Sequence, residues 1–234
     1  MKTLDWEWLN QPGGVAHSEW YFLGAMGVVV LLAFNRATLV RLLTPVETLV
    51  HESAHALVAL AVGFKVTGVE VRADGSGLTS MYVKPGVRSW LVTMAGYPGG
   101  AVVGSIMATV GAGVDSPRLA VAGAIPVALL LFIKSRSLFS LIAWGQVLVV
   151  AVPLMVWGSP SLVGTALVVV GGVLCALSLE KAVDIAFRFI PRRGVADGSQ
   201  DWEVLPGPGV LWLIFFVGVC VALPLFTFAT LAAV

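Results

Sequence analysis

Thr44-Pro45-Val46-Glu47-Thr48-Leu49-Val50-His51-Glu52-Ser53-Ala54-His55-Ala56-Leu57-Val58-Ala59-Leu60-Ala61-Val62-Gly63 decides how this chain is read. Thr44 suits an N-cap, Pro45 the first helical position, and Glu47 completes a T-x-x-E capping box. Gly63 is a natural helix stop. The stretch between is apolar apart from Thr44, Glu47, Thr48 and the run His51-Glu52-Ser53-Ala54-His55. On a helix, residues four apart share a face, so His51 and His55 can aim ring nitrogens at one ion. Glu52 lies about 100° round the helix, where it can reach a water beside that ion as a base without being a ligand. H-E-x-x-H in this setting predicts a zinc centre. Ionisable groups in so apolar a helix are costly, which argues against a merely structural polar cluster.

The rest of the chain fits that setting. Of 234 residues 58% are hydrophobic and only 12% charged, about half the charge of a soluble domain, and the mean hydropathy is +0.95. The expected fold class is an all-α polytopic membrane protein, residues 1–234 forming a single integral membrane domain. About seven transmembrane helices are expected, near 20–43, 44–63, 89–114, 118–133, 138–157, 161–179 and 210–234, with a small β-hairpin after the second. The net charge of +1 and the lack of any basic run exclude a nucleic-acid partner from the expectations. Cys175 and Cys220 lie in apolar runs and read as small buried residues. The first apolar run lacks a small-residue cleavage site and reads as a retained span.

Residues 64–88 break the helical pattern. Val66, Val69 and Val71 precede Asp74-Gly75, and Leu78, Met81, Tyr82 and Val83 follow it, the signature of a hairpin. Its edge could take an extended peptide by strand addition, or it could be a plain surface hairpin. Gly96, Gly100 and Gly104 recur every four residues in the next span and predict close helix packing, expected against the histidine helix. Residues 180–209 read as a polar connection. Seven spans would put the termini on opposite sides. Lys/Arg counting would then place the N-terminus, the hairpin and the late connection together in the cytoplasm.

Two histidines need a third ligand. His17, in the N-terminal arm, is a poor choice. An aspartate is the natural one, and the late connection offers Asp184, Asp197 and Asp201.

At this point the chain resembles the site-2 protease family of intramembrane zinc metalloproteases, and more closely its compact bacterial branch without a PDZ domain. The resemblance rests on H-E-x-x-H in a membrane helix, on Gly75-Ser76-Gly77-Leu78-Thr79 in the hairpin, on Ala95-Gly96-Tyr97-Pro98-Gly99, and on an aspartate shortly before a late helix. It implies that His51, His55 and a distant aspartate bind Zn²⁺ and that Glu52 is the catalytic base. Gln200-Asp201-Trp202-Glu203-Val204-Leu205 is similar to the S-D-A-x-x-L segment of the compact branch, which favours Asp201. The usual L-D-G signature is absent, and Ala54 replaces a common glycine. The implied function is hydrolysis of a peptide bond in or near a transmembrane segment of a membrane-anchored protein substrate, in the cell membrane. The alternatives are a non-catalytic chaperone or regulator of the same fold that binds membrane segments, and a transporter or metal carrier. Against transport, no repeated halves are visible.

Overall fold

The computed structural model describes residues 6–33, 44–72, 74–113, 116–192, 205 and 209–233. Helices α1 (Trp6–Leu9), α2 (Ser18–Ala33) and α3 (Thr44–Ala61) precede an antiparallel hairpin of β1 (Lys65–Val71) and β2 (Gly77–Tyr82). Then come α4 (Val87–Gly113), α5 (Pro117–Lys134), α6 (Leu138–Trp157), α7 (Pro160–Arg192) and α8 (Gly209–Leu231). Five of these, α4 to α8, contain stretches long and apolar enough to cross a membrane, and α2 is a shorter apolar helix. The most apolar part of α6 has a mean hydropathy of 2.1 yet is only 6% buried. A helix with that surface needs a lipid solvent. The chain is therefore a polytopic, all-α membrane protein with a small two-stranded sheet.

At the centre, α4 lies antiparallel to α7. Their backbones meet at two reciprocal glycine contacts. A Cβ on Gly104 would lie 2.6 Å from the Gly171 carbonyl oxygen, and one on Gly171 would lie 2.5 Å from that of Gly104. Gly111 and Gly164 repeat the arrangement one heptad along. Small residues let helices approach this closely in lipid, where dispersion rather than water exclusion holds them. The expected glycine stripe is thus shared between neighbours. Gly96 and Gly99 face α3, against His51 and Ala54, whereas Gly100 and Gly104 face α7, against Ser178 and Cys175. A four-residue repeat drifts around a 3.6-residue helix, so one stripe serves two partners.

The end of α3 follows from its sequence. Gly63 has φ 86°; its N–H bonds the Leu60 carbonyl at 3.1 Å, and that of Phe64 bonds the Ala59 carbonyl at 2.8 Å. These are the two bonds of a Schellman stop. Glu47, in the first turn, meets Lys181 at 3.4 Å.

Three expectations need correction. The late connection was expected to begin at residue 180, but α7 continues through Arg192. Ala182 and Ile185 are buried there, so tertiary packing carries the helix past the polar residues that suggested its end. The second correction concerns the N-terminal arm, expected on the hairpin's side. Arg118, at the start of α5, donates to the Trp8 carbonyl at 3.1 Å and to Gln11 Oε1 at 2.8 Å. The hairpin is bonded to Ser135, Arg136 and Ser137, just past the other end of α5. Arm and hairpin therefore lie at opposite ends of that helix. The physical reason is that α3 does not run the length of the bundle: its first turn meets Lys181, late in α7, and its last leads into the hairpin. Thirdly, the termini were expected apart. Leu231 instead packs with Phe22 and Ala112, at the arm's end; Val15 N–H bonds the Ala112 carbonyl there at 3.4 Å.

Candidate metal centre

The site is assembled from α3, the hairpin and α4. His51 and His55 face α4, and their Nε2 atoms are 3.1 Å apart. The Nδ1 of His55 lies 2.7 Å from the Val92 carbonyl oxygen. A carbonyl only accepts, so Nδ1 carries the proton and, in a neutral ring, Nε2 presents a lone pair to its neighbour. Two zinc-bound imidazoles at 2.0–2.1 Å would hold their nitrogens about 3.3 Å apart in a tetrahedral site. The observed spacing fits one shared ion. A backbone carbonyl behind a ligating histidine is also the support such a ligand commonly has.

Gly96 makes the room. A Cβ there would lie 2.5 Å from both His51 Cε1 and His55 Nε2, so a side chain would occupy the ground that the two rings share. The ring of Tyr97 stands edge-on to His51 at 5.0 Å between centroids, and Phe216 of α8 meets Tyr97 edge-on at 5.1 Å.

Glu52 faces the hairpin. Its Oε2 accepts a 2.7 Å hydrogen bond from Thr79 Oγ1, and Gly77 lies against its Cγ and Oε1. Thr48 donates to the Gly75 carbonyl at 2.7 Å, so β2 and the turn before it are laid along α3. In the turn, Ser76 donates to Asp74 Oδ1 from its hydroxyl at 2.7 Å and its N–H at 2.9 Å, holding that carboxyl below its ordinary pKa. Glu52 and His55 are both 8% exposed. They open onto a cleft of about 830 Å³, walled by residues 77–83 on one side and by Ser89, Val92 and Thr93 on the other. The centre is thus nearly dry but has an entrance.

The remaining predicted residues lie as follows. Asp184 is half-buried on α7. Among the described residues no three His, Cys, Asp or Glu side chains gather as a metal site, so Asp184 does not complete the histidine pair. Asp197 and Asp201 lie outside the described residues. His17 is exposed in the N-terminal arm, 3.6 Å from Glu19. Both cysteines are buried and unpaired. The sequence reading attached no role to Gly77, Thr79, Val92 or Tyr97. Gly77, Thr79 and Tyr97 were quoted within family-like segments, but only the folded chain shows what they touch. Val92 acts through its carbonyl, which no side-chain pattern can signal.

The sequence profile of the Peptidase M50B-like family matches residues 24–227, a range that holds the histidine pair, Glu52, the hairpin and Asp201. No curated protein and no solved structure gives a match.

Proposed function

Because this chain belongs to the M50B-like peptidases, the site-2 protease family, we propose that it is a zinc-dependent intramembrane protease. It hydrolyses a peptide bond in or near a membrane-spanning segment of another, membrane-anchored protein. The observation that carries this reading is the pair of imidazole Nε2 atoms 3.1 Å apart, with Glu52 beside them at the mouth of a cleft.

His51 and His55 hold the metal, and Asp201 is the third ligand. Leu205 supports that choice, since it is buried in one cluster with Tyr97, the residue whose ring stands edge-on to His51. Asp201 is four residues from Leu205, a tether of at most about 14 Å. Zinc, when bound, supplies Lewis acidity toward a water and a peptide carbonyl. Glu52 takes the proton of the attacking water on its carboxylate and delivers it to the departing amine. Gly96 keeps the two rings in place, and the Val92 carbonyl keeps His55 in the tautomer that donates its Nε2 lone pair.

A peptide bond inside a helix is shielded by its own hydrogen bonding, so the substrate must be locally extended to react. The β2 edge along the cleft suits such a segment, since added strands are held by main-chain hydrogen bonds. The hairpin end carries Lys65, Lys84, Arg88, Lys134, Arg136 and Lys181, against Arg118 at the other end. By the positive-inside rule this end faces the cytoplasm and the N-terminal arm the opposite side. Single cysteines at Ser80 and Ser159 should then react with impermeant thiol reagents from opposite faces of the membrane, and labelling from one face alone would refute the topology.

The function is tested with purified, zinc-loaded protein in detergent and a labelled single-span peptide carrying a central Gly-Pro pair. Wild type should cut it, chelator should stop it, and Glu52→Gln should keep zinc but lose cleavage. Capture of the peptide without turnover by the zinc-loaded wild type would make it a non-catalytic binder.

A further inference from the structure

We propose that Thr79 is a positioning residue for the general base, so that one strand both holds Glu52 and offers an edge to the substrate. This rests on the protease reading and adds to it a named link between the two halves of the site.

The two strands of the hairpin are fastened very differently. The outer edge of β1 is covered by the α5–α6 turn. Arg136 N–H bonds the Val69 carbonyl at 3.0 Å, Val71 N–H bonds Ser140 Oγ at 2.7 Å, and Ser137 Oγ donates to the Val71 carbonyl at 2.7 Å. Among the described residues β2 pairs only with β1, and along its length it walls the cleft. Its side chains alternate. Gly77 and Thr79 face α3, while Leu78 and Tyr82 are exposed. A peptide laid along β2 would therefore press on the strand that contacts the base.

That contact is specific to Glu52. Thr79 Oγ1 is 2.7 Å from Glu52 Oε2 and 2.9 Å from the Glu52 carbonyl oxygen. A hydroxyl has one proton to donate, and the carboxylate is the nearer and stronger acceptor. Gly77 closes the other side, since a Cβ there would lie 2.6 Å from Glu52 Cγ and 2.7 Å from Oε1. A glutamate has several rotatable bonds to fix before it can act as a base, and side chains of this length have the most rotamer entropy to lose. Thr79 and Gly77 restrict that freedom beforehand, which is the form that preorganisation takes at a reacting centre.

Thr79→Val keeps the strand-forming shape and removes the donor, and Thr79→Ser restores the donor alone. Each is assayed with the single-span peptide beside wild type. Thr79→Val should bind the wild-type amount of zinc and show KM within about twofold, with kcat lower by roughly ten- to hundredfold, the worth of a hydrogen bond to a charged group. Thr79→Ser should recover most of kcat. Wild-type kcat in Thr79→Val, a change in KM alone, or a serine variant as slow as the valine one would each overturn the proposal. Hydrogen exchange of the hairpin amides tests the same link without turnover. Thr79→Val and Glu52→Ala should speed exchange equally, and the double variant no further; additive effects would overturn the proposal. If the wild type cuts nothing, the protease reading fails, and the exchange result still decides whether Thr79 and Glu52 act as a unit.

Discussion

The proposed metal centre depends as much on what is missing as on what is present. His51 and His55 reach a common point because Gly96 puts no side chain between them and α4. Gly96→Ala would place a methyl 2.5 Å from both rings, and the rings must then separate. We expect zinc affinity to fall at least roughly tenfold, the usual cost of disturbing a ligand's support, with cleavage falling in step. Zinc titration of Gly96→Ala beside Gly24→Ala, whose Cβ would meet nothing within 4 Å, checks this. The histidines and Glu52 were legible in the sequence because their relation is local: spacing on one helix fixes it. Gly96, Thr79 and the Val92 carbonyl act across 27 to 45 residues of chain, and no periodicity reports such contacts.

At the scale of elements, the pairing of α4 with α7 is the framework that α3 is set against. Its two glycine crossings are backbone against backbone, so an added methyl has no flexible neighbour to displace. Gly104→Ala should destabilise the protein by about 1–3 kcal/mol, the cost of overpacking a tight contact. Gly24→Ala should cost nothing, alanine being the better helix former. Thermal unfolding in detergent compares the two, and equal midpoints would mean that the crossing is not tight. Local signals served well where an element ends on its own chemistry. Gly63 stops α3, and Gly75, with φ 85°, sits in the hairpin turn as the Asp-Gly pair suggested. They failed where packing decides. Glu180, Lys181 and Asp184 look like the start of a loop, but Ala182 and Ile185 bury the face between them and the helix goes on.

Across the whole molecule, the fold separates two tasks by end. The arm end is tied by Arg118, which is 4% exposed, reaches the Gly158 carbonyl at 2.6 Å, and lies over the Trp8 ring at 4.5 Å. The hairpin end holds the histidine pair, Glu52 and the cleft. Hydropathy gave the membrane class correctly, because lipid imposes a composition that any window detects. The placing of the N-terminal arm beside the hairpin was wrong, since the two lie at opposite ends of α5; that placing turns on whether α3 runs the length of the bundle, and hydropathy alone does not decide it. The central claim is that His51 and His55 share one zinc ion with an aspartate brought from a distant segment. The direct measurement is the zinc content of purified wild type, His55→Ala and Asp201→Ala after equilibration with zinc. The account predicts about one zinc per chain in wild type and its loss in both variants. No zinc in wild type, or full retention in His55→Ala, would contradict it.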